Sequence, residues 1–389
     1  MKEPGSLRAD HDFEDKPIRL LLVAPSLRIL GGQAVQANYL LDHLSQEPMF
    51  DVSFVAHNPR LPGPLRLLQR IKYVRTIVTS LAYCFNLLLK VPKADVIHVF
   101  SASYFSFLLA PTPAILIARL FGKKIILNYR SGEAEDHLRC WPRTSVPIMR
   151  LADELIVPSP YLVHVFGKFG LRATPIANVV DLDHFKFRER KPLLPIFLSN
   201  RNFYPLYNVA CIVRAFALIQ QKFPEAKLII AGGGSQRAAL ESLVQELKLR
   251  NVKFCGPVPP NKMSNLYDAA HVFLNSSNID NMPGSILESF ASGLPVVSTN
   301  AGGIPYIVMH ERTGLLVPKN DHEAMAARAI QLLDTPGLAE SIVHNAYKES
   351  RAYTWEAVRE TWLAAYMQLA GRTAPSEAHA QTANSYIAV

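Results

Sequence analysis

Cysteine is scarce and dispersed. The 389-residue chain holds four, Cys84, Cys140, Cys211 and Cys255, and no two of them form a Cys-x-x-Cys pair. A zinc cluster and a disulfide framework are therefore excluded, and the four read as buried thiols in a reducing compartment. The twelve histidines show no metal-ligand spacing. The Asp-x-Asp pairs are Asp181-Leu182-Asp183 in the linker motif and Asp10-His11-Asp12 in the polar N-terminal stretch, and neither metal nor cofactor is expected. A secretory leader is not expected either, because Met1 to Pro17 is polar and mixed in charge, which makes the cytoplasm the default. Long clean apolar runs are also lacking. Val99 to Ala118 has 20 uncharged residues, but Pro111 and Pro113 interrupt it and Ser101, Ser103, Ser106 and Thr112 dilute it. It reads as a buried strand plus helix, and no transmembrane span is expected.

Acidic residues are absent between Asp51 and Asp95, whereas Arg60, Arg66, Arg70, Lys72, Arg75, Lys90 and Lys93 all fall there, in a chain of net charge +9. The same stretch contains Leu65-Arg66-Leu67-Leu68 and an uncharged run from Thr76 to Leu89. A basic, apolar helical segment of this kind suits the interface of an anionic membrane, where each cation near the surface adds about 1 kcal/mol. A core-packed helical pair with a solvated basic rim, or a face for an anionic acceptor, is the alternative. Nucleic acid is not an expected partner, since no platform of interleaved basic and aromatic residues is present.

What is present is apolar substance in alternating order: 49% hydrophobic residues against 19% charged, enough for two domains. Continuous apolar strands are expected at 18–24, 52–55, 96–99, 125–128 and 155–158, with a helix from about 34 to 44. The pattern restarts with strands at 195–199, 227–231, 252–254, 272–275, 295–298 and 315–317 and a helix over 208–221. The fold class is α/β, two doubly wound Rossmann-like domains facing each other across a cleft, with ligands at the carboxyl ends of the strands. The expected divisions are a disordered 1–17, a first domain over 18–185, a second over 186–353 with the linker near 178–194, a closing helix over 354–370, and a disordered tail over 371–389.

One stretch concentrates the chemistry: Asp280-Asn281-Met282-Pro283-Gly284-Ser285-Ile286-Leu287-Glu288, followed by Ala291-Ser292-Gly293-Leu294-Pro295-Val296-Val297. Pro283 suits the first helical position and Gly293 the end. Asp280 then sits in the loop before the helix, and Glu288 within it. Free N–H groups near Gly284, Ser285 and Ile286 would present the positive end of the helix to a phosphate, with a carboxylate on each side for sugar hydroxyls.

This acid-x7-Glu pattern, with Gly302-Gly303-Ile304-Pro305 and Thr313-Gly314-Leu315-Leu316-Val317 after it, resembles the retaining GT-B glycosyltransferases of family 4 (glycosyl transferases group 1). The family usually has Glu at both ends, and Asp280 stands at the first here. The resemblance implies a nucleoside diphosphate sugar donor bound by Gly31, Gly32, Arg201, Tyr207, Gly284, Ser285, Ile286 and Glu288. It implies catalytic roles for Asp280 and Arg130, metal-independent retaining transfer, and a helix near 355–368 that crosses back to the first domain. Arg201 fits the diphosphate cation, while Tyr207 occupies the place of a family lysine and brings a hydroxyl without the charge. Arg130 stands where the family often has histidine. Being a permanent cation it suits an anionic acceptor, a phosphate or an acidic sugar, or else pairs with Glu133, Asp136 or a cleft carboxylate. His98 reads as a hydrogen-bonded core histidine and His184 as part of the linker motif. Gly232-Gly233-Gly234-Ser235 lacks dinucleotide spacing and reads as a turn shaping the donor pocket.

With its basic first half, the expected acceptor is a carbohydrate or a lipid-linked molecule in surface polysaccharide or glycolipid synthesis, and the expected place is the cytoplasm or the inner face of its membrane. A catalytically weak nucleotide-sugar-binding protein of the same fold is the alternative reading, and a nucleotide-sugar epimerase a third.

Overall fold

The computed structural model describes residues 16–27 and 31–372. The terminal segments expected to be disordered lie almost wholly outside the described residues.

Twelve strands form among those residues: β1 Ile18–Ala24, β2 Phe50–Ala56, β3 Val96–Phe100, β4 Lys124–Asn128, β5 Glu154–Val157, β6 Thr174–Pro175, β7 Ile196–Ser199, β8 Lys227–Ala231, β9 Val252–Gly256, β10 Val272–Asn275, β11 Val296–Thr299 and β12 Leu315–Val317. They build two parallel six-stranded sheets, in the orders β2-β1-β3-β4-β5-β6 and β12-β11-β10-β7-β8-β9. Helices cover both faces, which is why Leu20 through Ala24 are all fully buried rather than alternating. Two doubly wound Rossmann-like lobes result, the GT-B arrangement.

The strand orders decide where ligands go. Each order reverses at one place, between β1 and β3 in the first sheet and between β7 and β10 in the second. Loops leaving the carboxyl ends there diverge and open a crevice. The loop after β1 carries Gly31 and Gly32; the loops after β7 and β10 carry Arg201 and Asp280. Phe197 and Leu198 of β7 pair with Val272 and Phe273 of β10, so these two loops emerge side by side.

The helix Trp355–Leu369 follows the second lobe in sequence yet buries Trp355, Val358, Trp362, Leu363, Tyr366 and Met367 in one core with β1, β3 and β4 of the first. Each large apolar side chain so covered contributes about 1.5–3 kcal/mol. Arg359 adds a two-pronged ion pair to Glu47, with N–O distances of 2.5 and 2.6 Å. Gln36 of the helix Gly32–Leu44 grips the connecting segment, accepting from the Val179 amide (2.8 Å) and donating to its carbonyl (2.7 Å).

One expectation needs correction, and one observation adds to another. Only Cys211 is buried; Cys84 and Cys255 are half-buried and Cys140 is exposed, so the thiols are not core residues as a set. And among the described residues, the stretch long and apolar enough to cross a bilayer, by length and composition, is Lys72–Lys93. The run over 99–118 ends β3 and continues as helix, in two short pieces, Phe105–Leu109 and Pro111–Leu120. The helix Lys72–Lys90 lies along the first lobe, rooted by buried Tyr83 and Leu87 and by a bond from the Tyr83 hydroxyl to the Ala110 carbonyl (2.8 Å). Its opposite face is apolar and uncovered: Tyr73, Ile77, Leu81 and Phe85, four residues apart, are exposed, with Leu81 at 66% and Phe85 at 62%.

Candidate active site

The cleft between the lobes encloses about 540 Å³. Gly31, Gly32, Tyr39, Arg130 and Glu133 line it from the first lobe, and Arg201, Tyr207, Asp280, Gly284, Ser285 and Glu288 from the second.

Arg201 is the hub of the second-lobe wall. One guanidinium nitrogen forms an ion pair with Asp280, and the other reaches the Ser285 hydroxyl at 3.4 Å, in the first turn of the helix Gly284–Ala291. The guanidinium also lies over the Tyr207 ring, 4.2 Å from its centroid. Burial opposes the charge on Arg201, yet Asp280, with Tyr207, Tyr267 and Glu288 behind it, holds its pKa above the ordinary value. Asp280 accepts further bonds from the Ser277 hydroxyl (3.0 Å) and the Asn281 amide (3.0 Å).

Glu288 sits one helical repeat beyond Gly284, so both face the cleft. Burial raises its pKa, opposed by the Tyr267 hydroxyl, Arg201, His184 and Asn200. The Tyr267 hydroxyl donates to Glu288 Oε2 (2.6 Å) and accepts from Asn200 Nδ2 (2.7 Å). At the end of β7, Ser199 Oγ, Asn200 Oδ1 and Arg201 Nε are buried without a protein partner among the described residues. Asn200 and Arg201 line the cleft, and buried polar atoms without a protein partner there suit a polar ligand.

Ile286 does not belong to this surface. Its side chain is fully buried in the second-lobe core, and its amide donates to the Pro283 carbonyl (3.1 Å). Two residues of helical rotation carry it some 200° from Gly284, a turn of about 100° each. Pro283 is the residue before the helix rather than its first. The amides of Gly284 and Ser285 remain without intrahelical acceptors, by helix geometry.

Glycine backbones clasp both site loops. A Cβ on Gly302, whose φ is +54°, would fall 2.1 Å from the Asp280 carbonyl oxygen, and one on Gly232, at φ +144°, 2.4 Å from that of Arg201. The Gly232-Gly233-Gly234 turn thus holds the Arg201 loop. From the first lobe, a Cβ on Gly132 would lie 3.1 Å from the Asp280 backbone, so the lobes meet at this loop. Around Gly31 and Gly32, by contrast, no atom of the described residues lies within 4 Å of a built Cβ.

On the first-lobe wall Arg130 is fixed by amides. Its Nε donates to Asn128 Oδ1 (2.9 Å), and another N–H donates to Asn178 Oδ1. Asn178 Nδ2 donates in turn to the Met282 carbonyl (2.7 Å), across to the second lobe. Asn128 Nδ2 donates to His98 Nε2 (2.9 Å), so His98 carries its proton on Nδ1 and donates to the Tyr366 hydroxyl (2.7 Å). Burial, with Arg130 adding to it, keeps His98 well below its ordinary pKa, a neutral core histidine. His184 Nε2 lies 3.0 Å from the Pro260 carbonyl and lines the cleft edge.

Sequence reasoning missed Tyr267, Asn200, Asn178 and Tyr39. Each reads as core or loop in its own segment and becomes a site residue only through long-range packing. Away from the cleft, Glu189, Glu340 and His344 gather within 4.8 Å on the surface, where Lys191 pairs with Glu340 (2.7 Å) and Glu189 (3.3 Å).

Residues 182–349 match the family model described as glycosyl transferases group 1. An uncharacterized glycosyltransferase of Methanocaldococcus jannaschii is 32% identical over 166 residues, 41% of this chain and 42% of that protein. The sulfoquinovosyl transferase of Arabidopsis thaliana is 27% identical over 287 residues, 68% of this chain and 55% of that protein. The chain therefore spans about half the length of the curated relatives it matches. In fold it is similar to Anabaena HepE, solved in complex with UDP and glucose: TM-score 0.69 at 18% identity, covering 90% of this chain and 99% of that one. The second lobe thus matches the glycosyl transferases group 1 over residues 182–349, and the two lobes together share the GT-B fold.

Proposed function

We propose that the protein transfers a sugar from a nucleoside diphosphate sugar to an acceptor hydroxyl with retention of anomeric configuration and without a metal. One observation carries this reading: the Arg201 guanidinium touches Asp280 and Ser285 at once. A cation, a helix N-terminus and two carboxylates thereby converge on one face of the cleft. The diphosphate lies against the amides of Gly284 and Ser285, and Arg201 balances the charge that grows on it as the bond to the sugar breaks. Glu288, steadied by Tyr267, accepts from ribose hydroxyls, and Asp280 accepts from the hydroxyls of the transferred sugar. Tyr207 supports Arg201 through its ring. The acceptor hydroxyl attacks from the side the diphosphate leaves, with the departing phosphate oxygen taking its proton. Closure of the lobes keeps water, the competing acceptor, away.

The acceptor is lipid-linked or membrane-borne in this reading. The uncovered stripe Tyr73, Ile77, Leu81 and Phe85 supports that, together with Leu65, Leu67 and Ile71 on the preceding turn and Leu120 on the adjacent helix, all exposed. Arg66, Arg70, Lys72 and Arg75, also exposed, flank the stripe with positive charge. Apolar side chains beside cations suit an anionic bilayer surface, and the first lobe would rest there peripherally.

The test is donor consumption over a panel of nucleoside diphosphate sugars with EDTA present and lipid vesicles as acceptor source, the product read by proton NMR of its anomeric centre. Retained configuration is expected. An inverted product would refute same-face attack, and binding without turnover over the whole panel would select the catalytically weak alternative.

A further inference from the structure

We infer that Arg130 is an anion-reading subsite, and that the molecule it serves carries a carboxylate, sulfonate or phosphate group on the transferred sugar or on the acceptor. The inference rests on the nucleotide-sugar reading of the cleft and names the substrate class within it.

The argument is one of charge. Arg130 leaves the carboxyl end of β4 and lines the cleft opposite the donor helix. Its two hydrogen bonds go to the side-chain amides of Asn128 and Asn178, both neutral. The guanidinium otherwise rests near the Phe100 ring, 5.7 Å from its centroid. Glu133 lines the same cleft but forms no ion pair with Arg130 among the described residues, and three other carboxylates are engaged elsewhere. Asp280 pairs with Arg201, Glu288 accepts from Tyr267, and Asp136 accepts from the Tyr104 hydroxyl (2.6 Å) and Arg139 (3.0 Å). Among the described residues no ion pair includes Arg130. Burial lowers its pKa to about 9, opposed by Tyr366, and the group stays cationic at neutral pH.

A guanidinium taken largely out of water without a counter-ion is costly, and one held by neutral amides is oriented without being neutralised. A purely structural arginine would be better served by a carboxylate at position 128 or 178. The amides leave its full charge, and N–H groups they do not occupy, for an oxyanion in the cleft, where a charge-assisted bond forms in a water-poor setting. Asn178 also bonds the Met282 carbonyl, directly before Pro283 and the donor helix, so the same amide sets Arg130 against the reacting end of the cleft.

Calorimetry on the full chain tests this in two arms. One compares UDP-glucuronate with UDP-glucose. The other, in the presence of UDP, compares octyl glucuronide with octyl glucoside. The anionic member is expected to bind at least about tenfold tighter in one arm, which identifies whether sugar or acceptor bears the charge. In Arg130→Met that ratio is expected to fall to near one. Asn128→Asp offers a second route should the first variant not fold. It presents a carboxylate of the same shape to Arg130, and His98 can keep its bonds by moving its proton to Nε2, so the ratio should collapse while Tm holds. Equal binding of both members in both arms by the wild-type protein overturns the inference while leaving the transferase reading intact, as does a ratio that survives both variants. Failure to bind UDP, GDP, ADP or dTDP at all overturns both.

Discussion

The Arg201–Asp280 pair offers the sharpest test of how the cleft is built. The two side chains are only 12% and 11% exposed. Removing one member of such a pair leaves a buried charge without its partner, typically at about 3–5 kcal/mol. Asp280 keeps the Ser277 hydroxyl and the Asn281 amide, so Arg201→Met should fall near the lower end, at about 3 kcal/mol. Asp280→Asn should cost a similar amount, because Arg201 then stands buried beside a neutral amide. The double variant Arg201→Met/Asp280→Asn removes both charges in similar shape, and its loss should be at least about 2 kcal/mol smaller than the sum of the singles. Donor affinity should follow a different pattern. Losing a charge-assisted contact to the diphosphate costs about 1.5–3 kcal/mol, roughly tenfold to 150-fold in Kd, and the double variant cannot regain it. Urea denaturation gives the first set of numbers and calorimetry with UDP the second. Additive singles would show that the pair does not couple. Recovery of UDP affinity in the double variant would show that Arg201 acts on Asp280 alone and never meets the donor.

Two other outcomes are expected. Leu81→Glu and Phe85→Glu lie on the exposed stripe, so each should leave Tm nearly unchanged, while together they should reduce partition onto anionic vesicles by more than about tenfold. Partition equal to wild type in a sedimentation assay would remove the membrane surface from this face. Stability should also fall with acid. His57 and His137 are held to about 4 by burial, and His98 well below its ordinary value. A base whose folded pKa lies below its unfolded one contributes stability that is complete above the unfolded value near 6.5 and is lost as pH falls toward the folded value. For His57 alone the loss between pH 7 and 5 is about 2 kcal/mol. Glu133 and Glu288, raised by burial, work the other way over the same range but are fewer. A urea midpoint that is flat from pH 7 to 5 would contradict the buried neutral histidines.

Much of the scaffold was legible because parallel strands covered on both faces leave unbroken apolar runs. Ile18–Ala24, Lys227–Ala231, Val272–Asn275 and Leu315–Val317 have the ends their side chains imply. The two-residue β6, Thr174–Pro175, left no such run to read. The helix Gly284–Ala291 was legible from punctuation, but the amide of Ile286 was not excluded, although a turn of 100° per residue carries position 286 into the core. The uncovered stripe on Lys72–Lys90 could not be read at all. Thr76 to Leu89 is uncharged around its whole circumference, so nothing in its periodicity says that Tyr83 and Leu87 face inward while Leu81 and Phe85 face out. Tyr267 was hidden for the opposite reason: an aromatic in the helix Pro260–Ala269 reads as packing, and its hydroxyl finds Glu288 only through the tertiary fold.

The glycines show why the motif after β11 accompanies the one before it. Asp280 stands in a loop yet must be held in place, because its carboxylate is shared by Arg201, the Ser277 hydroxyl and the amide of Asn281. A loop cannot supply that rigidity from its own contacts. Gly302 and Gly303 supply it by bringing a second backbone against Asp280 and Asn281, where any Cβ would collide at 2.1 and 2.2 Å. Gly132 brings a third backbone from the first lobe, and the Ser159 hydroxyl, also first-lobe, bonds the Asn281 side chain. The placement of Asp280 therefore depends on the approach of the two lobes, and any motion that parts them loosens the acid at the moment the cleft opens to water.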